Sequence, residues 1–287
     1  MNQSSQQLAV QPSRWGFPQA RERSGGKIPV KAPGQDRVLK IFFGTCAVLS
    51  VASFLFLEVD WLKLLSRVPN MGESFVKLFT FDFTGFSSTL SAFGESVSMT
   101  VLATIYSAVL GILFGAFMSR NLVKNRLAVG ALSAAFTFVR AVPSVVWVLL
   151  VLVCLGFGPA TGIVGLSVHS IAFFAKAYAQ SFDDVGGDVV EALTVVGANR
   201  LQIFFRGILP AALSSIVAWF SLRVETNFSE STVLGMVGAG GIGFVISSNI
   251  QNYRYGRAGV AIVMVFLFAY LVETGFSKMK RAYLMDH

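Results

Sequence analysis

Arg140, His169, Arg223 and Glu225 stand inside long apolar runs of this sequence, where an ionisable side chain needs a reason to be. A charge at the centre of a membrane helix costs about 2.5–3.5 kcal/mol on insertion scales, so each requires a partner or a wet cavity. Arg223 and Asn227 are spaced i,i+4 and share one helix face, whereas Glu225 points away from Arg223. Guanidinium and amide donors at one level suit a small oxyanion in transit, provided that no contact is tight enough to stop its release. Arg140, Arg223, Asn227 and Glu225 are therefore candidates for lining a translocation path. The competing reading is a structural ion pair between Arg140 and Glu225. His169 reads as an imidazole hydrogen-bonded to a neighbouring helix, a plainer role than proton relay. The sequence holds two His, no nucleophile set beside a base, and no metal-ligand spacing, so catalysis is the function class it supports least.

The elements that must carry these residues follow from composition. Hydrophobic residues make up 54% and charged residues 13%, with 27 Phe in 287 residues, which is wrong for a soluble domain and right for a membrane protein. A hydrocarbon core of about 30 Å takes roughly 20 apolar residues as helix, because lipid tolerates only a closed backbone. Six runs qualify: 39–57, 97–118, 127–155, 159–180, 211–230 and 258–277. The expected fold is an all-α membrane protein of about six transmembrane helices, the third tilted or bent at Pro143. Arg140 lies about 13 residues into its run and Arg223 about 13 beyond Pro210, each roughly 20 Å deep at 1.5 Å per residue, and so at one level.

Charge orients the chain. Segments 1–40, 119–126, 181–210 and 278–287 hold 15 Lys and Arg, against 5 in 58–96, 156–158 and 231–257, which puts both termini and 181–210 in the cytoplasm. The net charge of +8 is thereby read as topology facing a lipid bilayer, not as a nucleic-acid footprint. Residues 1–38 are polar and rich in Pro and Gly, and read as a disordered cytoplasmic tail; 39–57 reads as a retained first anchor, not a cleaved signal. The outer stretch LFTFDF at 78–83 reads as a membrane-skimming connector. Cys46 and Cys154 read as small buried hydrophobes. Gly111 and Gly115, and Gly158 and Gly162, form G-x-x-x-G pairs that allow close helix packing, and Lys176 and Glu273 sit where they can snorkel to water.

Residues 181–210 interrupt the apolar runs with a polar segment suited to a short helix outside the bilayer. Asp188 or a neighbour is expected to cap it, Glu191 to occupy its first turn, Gly197 to permit close backbone approach and Pro210 to start the fifth span. Gly238, Gly240 and Gly243 spell G-x-G-x-x-G, but the segment lies between two spans and the next acid is Glu273, which excludes a dinucleotide fold. Together with Gly235 and Gly241 they suggest either a re-entrant piece that gates a pore or a plain outer loop.

Three stretches share a pattern: RAVPSVVWVLL at 140–150 running on to GFGPATGIVGLSVHS at 156–170, EALTVVGANR at 191–200, and RVETNFSESTVLGMVGAGGIG at 223–243. The chain resembles the permease subunit of a phosphonate or phosphite ABC importer, of the type I importer fold, over about 95–281. The resemblance implies an ATP-driven, binding-protein-dependent importer of a phosphonate, phosphite or hypophosphite in the bacterial inner membrane. It implies a homodimer of permease chains, two cytoplasmic ATPase subunits that hold the ATP and Mg, a periplasmic solute-binding protein, and no cofactor in this chain. It assigns ATPase coupling to Glu191, Ala192, Gly197, Leu209 and Pro210. Three residues depart from the family pattern: Leu193 replaces the second Ala of Glu-Ala-Ala, Gly207 stands where many coupling loops have Ile, and Ser229 stands where Arg is expected. The alternatives are an importer of another small solute such as an amino acid, a proton-coupled secondary transporter, and a membrane scaffold. The secondary transporter should show inverted repeats or paired intramembrane acids, and neither is present.

Overall fold

The computed structural model describes residues 35–57 and 60–285, which divide into two compact units at Ser66 and Arg67. In the first unit, α1 (Gln35–Phe56) is apolar on every face, and its large apolar side chains from Val38 to Leu57 are exposed. A helix of this length that lacks a polar side is a bilayer span. It begins at Gln35, so the last residues of the expected tail are helical, and the rest of that tail lies outside the described residues.

Helix α2 (Trp61–Leu78) is amphipathic, buries no side chain and contains Pro69. It ends at Leu78, and residues 79–83 follow as an irregular turn in which no strand forms. Asp82 instead turns the chain, accepting a hydrogen bond from the Thr84 backbone N–H at 2.8 Å and pairing with Arg257 at 2.9 Å. Helix α3 (Phe86–Met118) then starts well before the expected 97, because FSSTLSAFGESVS extends the helix by three turns, with Thr89 and Ser96 buried.

The second unit is built around α3 and α6 (Pro159–Asp183). A Cβ at Gly111 would meet the Phe174 side chain, and one at Gly115 would lie 3.0 Å from the Tyr178 Cβ, so this G-x-x-x-G pair brings the two backbones together. Gly158 does otherwise: with φ 136° it is the N-cap of α6 and meets nothing. The apolar core gathers Phe174, Tyr178 and Phe182 of α6 with Ile203, Phe204 and Ile208.

The expected third span is broken into α4 (Arg126–Ala141) and α5 (Ser144–Leu155), bent by 88°. Pro143 cannot donate to the ladder and pushes Val142 into extended backbone, and the Trp147 indole N–H donates to the Val139 carbonyl at 3.0 Å across the break. After α6 come α7 (Gly187–Val195), α8 (Arg200–Ile203), a π turn at Phe204–Ile208, α9 (Leu209–Ala211) and α10 (Leu213–Leu234). A second π turn at Gly235–Ala239 leads to α11 (Gly241–Gln251) and α12 (Tyr255–Met285). Among the described residues, four helices are long and apolar enough to cross a membrane, and six spans result if the two bent pairs, 88° and 65°, each count once. Cys46 and Cys154 are exposed on their helices, contrary to the expected burial.

Candidate functional site

Arg223 on α10 is 4% exposed and does not stand alone. Its Nε donates to the Ser170 hydroxyl at 3.1 Å, its Nη2 approaches His169 Nδ1 at 3.0 Å, and its two terminal nitrogens reach the Glu230 carboxylate at 3.3 and 3.5 Å. Ser170 in turn donates to Asn227 Oδ1 at 2.9 Å, and Asn227 Nδ2 donates to Thr104 of α3 at 2.8 Å. The chain of donors therefore crosses three helices, and every buried amide and hydroxyl in it is satisfied. His169 accepts from a guanidinium, so Nε2 carries its proton.

Arg223 and Asn227 do share a face, with Ser170 bridging them. Arg140 ends α4 just before the Pro143 break and projects over the Phe173 ring, its guanidinium carbon 5.5 Å from the centroid; Arg223 covers the same ring at 5.3 Å. Both arginines therefore meet at one level. The competing Arg140 and Glu225 pair does not form among the described residues; the carboxylate that answers Arg223 is Glu230. Glu230 lies seven residues on, two turns along the same face, and that spacing was the signal that could have found it. Glu225 is half-buried on α10 and points elsewhere. Among these side chains the pair of Arg223 with Glu230 is long, and the glutamate is 26% exposed, so the guanidinium is neutralised without being locked.

The glycine segment after α10 is packed, not loose. Gly238, Gly240 and Gly241 have φ of 115°, 86° and 70°, which L side chains rarely adopt. The Gly238 carbonyl accepts from the Gly158 N–H at 3.3 Å, and the Ile242 N–H donates to Ser96 Oγ of α3 at 2.9 Å. A Cβ on Gly243 would strike the Thr232 carbonyl and one on Gly235 would strike the Gly240 carbonyl, so the segment folds back on α10. This geometry is a tightly packed turn between α10 and α11.

At the other end of the bundle, the segment after α6 forms a compact two-helix projection. Asp188 lies in the first turn of α7, the N-cap is Gly186, and Glu191 sits one turn further along than expected, exposed with Ala192. Gly197 has φ 83° and open space around it: it closes α7 with a left-handed cap, the Ala198 N–H reaching the Leu193 carbonyl and the Gly197 N–H the Thr194 carbonyl, both at 3.0 Å. No other part of this chain approaches it. Asn199 and Gln202 form a reciprocal capping box that starts α8. Pro210 sits in α9, ahead of the bend into α10. The two departures noted above compensate each other: a Cβ on Gly207 would lie 2.6 Å from Leu193 Cδ1, so the small residue makes room for the large one. Val190 and Leu193 face the core, while Val195, Val196, Leu201 and Phe205 are 61–80% exposed.

Residues 107–276 match the family described as binding-protein-dependent transport system inner membrane component. The chain belongs to this family. It is an ABC transporter permease, a multi-pass membrane subunit. The chain is 29% identical over 246 residues to the phosphate-import permease protein PhnE of Mycolicibacterium smegmatis, covering 84% of this chain and 46% of that relative, so the chain spans about half of that permease's length. It is 26% identical over 215 residues to the phosphite transport system permease protein PtxC of Stutzerimonas stutzeri, covering 75% of this chain and 78% of that protein. The permease fold is that of the inward-facing MetNI methionine ABC transporter, with a TM-score of 0.65 at 21% identity over 70% of this chain and 99% of the solved one.

Proposed function

We propose that this permease subunit imports a small phosphorus oxyanion, a phosphonate, phosphite or hypophosphite, as a homodimer driven by two separate ATPase subunits and fed by a periplasmic binding protein. The observation that carries the reading is Arg223: a guanidinium buried within a span, set among Ser170, His169 and Asn227, and balanced by a displaceable Glu230. An incoming oxyanion takes over the donors that Glu230 holds, and leaves when Glu230 returns. Selective affinity then rests with the binding protein, since a pore site must release what it receives. The names of the similar phosphate and phosphite permeases support the same solute class.

In this reading both termini and the α7–α8 projection are cytoplasmic, as the Lys and Arg bias requires, and Glu191, Ala192, Gly197, Leu209 and Pro210 belong to the lever that the ATPase moves. ATP and Mg are bound by that partner. The exposed Leu201 and Phe205 give the lever an apolar face to seat in a groove. The packed turn at Gly235, Gly238, Gly240, Gly241 and Gly243 serves as the gate at the opposite end.

Uptake by a strain lacking its own phosphorus importers, supplied with this chain and its companion subunits, tests the reading with each compound as sole phosphorus source. Growth on at least one that is lost in Arg223→Gln at equal membrane abundance is the expected result. Transport of an amino acid with no uptake of any phosphorus compound overturns it.

A further inference from the structure

A second basic site lies at the end of the bundle that carries α7. A cavity of about 930 Å³ opens between α4, α6 and the turn after α3, and Arg120, Lys124, Arg126 and Lys176 all line it. At about 30 Å³ per water it holds tens of waters, ample room for a hydrated ion. Its one carboxylate, Asp183, is already committed: the same oxygen accepts from the Ser119 hydroxyl and the Arg120 N–H, both at 2.7 Å, and from the Asn121 N–H at 3.3 Å. Four cations therefore face the space against a single carboxylate.

Lys176 is the telling residue. It sits two turns inside the end of α6, about 10 Å at 1.5 Å per residue, half-buried, and donates to the Thr137 hydroxyl of α4. Its stem is half-buried, as for a snorkelling lysine, while its ammonium is tied to a neighbouring helix at the wall of the cavity. The position also continues the buried site. His169, Phe173 and Lys176 follow one another on one face of α6 at i, i+4 and i+7, and Thr137 and Arg140 share a face of α4 at i, i+3. With Arg140 and Arg223 both over Phe173, cations are spaced without a break from the buried network to the cavity.

We propose that this cavity binds a tetrahedral phosphorus oxyanion, held by Lys176 from the floor and by Arg126, Lys124 and Arg120 from the rim, as a station distinct from Arg223. As a stage of transport it rests on the proposed function; as a binding site it does not. Its chemistry suits a free oxyanion and a phospholipid headgroup alike, and two measurements separate them.

The full-length chain, purified into nanodiscs of phosphatidylcholine alone, is titrated with radiolabelled inorganic phosphate. Saturable binding with a Lys176-dependent component is expected: that component persists in Lys176→Arg and is about tenfold weaker in Lys176→Met, as for loss of one charge-assisted contact. Arg126→Gln, at the exposed start of α4, gives the same direction of change and covers the case in which Lys176→Met fails to fold. In discs containing phosphatidylglycerol, native mass spectrometry reads lipid retained by wild type and lost in Lys176→Met, which would assign the site to a headgroup. Absence of Lys176-dependent binding in both measurements overturns the proposal. If uptake needs Arg223 while phosphate binding ignores Lys176, this inference alone fails; if no phosphorus compound is imported yet Lys176 still holds phosphate, only the transport reading fails.

Discussion

Arg140 and Arg223 come from two different helices and lie over one ring, 5.5 and 5.3 Å from the centroid of Phe173. Two like charges converge there because the aromatic face attracts both and because Glu230 offsets one of them. The two are unequal, since Arg223 is buried in a hydrogen-bonded network and Arg140 is exposed on α4. Arg223→Gln is expected to cut the initial rate of uptake by about tenfold or more, the loss of a charge-assisted contact with the solute, and Arg140→Gln by less. Rates at matched membrane abundance check this; normal uptake in both variants removes the pathway role.

Glu230 should act as the resident counter-ion of Arg223. Glu230→Gln leaves a guanidinium with a neutral partner inside a span, which costs about 1–3 kcal/mol for an incompletely satisfied buried group. The thermal midpoint of the purified chain is expected to fall. Added inorganic phosphate should raise it more in this variant than in wild type, because the ion fills the place of the carboxylate. An unchanged midpoint, with no response to phosphate, would show that the pair carries no weight.

The α7–α8 projection is fixed by its own caps, so its exposed face can be altered without unfolding it. Glu191 is exposed and forms no ion pair among the described residues. Glu191→Lys is therefore expected to leave insertion and thermal stability within about 0.5 kcal/mol of wild type, as for ordinary surface changes, while uncoupling ATP hydrolysis from uptake. Parallel assays of ATPase activity and uptake in the assembled transporter read this directly. Unimpaired coupling would move the lever elsewhere.

What the sequence revealed, and what it hid, divides by range. The number of spans, the bend at Pro143 and the shared face of Arg223 and Asn227 are properties of a stretch a few turns long, and periodicity with Pro chemistry reads them. The partner of Arg223 was hidden because Ser170 and His169 lie more than fifty residues away and only the packing of α6 on α10 brings them in. The early start of α3 at Phe86 was missed because its small polar residues lower the hydropathy, though Thr89 and Ser96 among them are buried. The matched change of Leu193 and Gly207 needed the fold, since neither residue alone says which side chain fills the other's space.

Glycines of one sequence motif should differ sharply from the glycine that caps α7. A methyl group on Gly243 meets the Thr232 carbonyl, which belongs to rigid helix backbone, so Gly243→Ala is expected to destabilise by about 1–3 kcal/mol or more through overpacking. Gly197→Ala has open space and only the left-handed backbone to oppose it, about 1 kcal/mol. Thermal unfolding of the two variants in one detergent ranks them. The reverse order would mean that the turn after α10 is loosely packed.

At the turn ahead of α3, Asp82 ties α12 to the chain through Arg257, and its carboxyl is pulled down from an ordinary 3.8 to about 2 by the Thr84 hydroxyl first, then the Thr84 N–H and Arg257. A depressed carboxyl stabilises the folded form above its unfolded pKa of about 3.9 and loses that contribution as pH falls toward 2. Asp82→Asn should therefore lower the thermal midpoint at pH 7 and at pH 5 by the same amount. The difference from wild type should close between pH 4 and 2, because wild type alone loses its ionised carboxylate there. A gap that persists unchanged at pH 2 would mean that the turn is held by shape and neutral hydrogen bonds, with the charge on Asp82 contributing nothing.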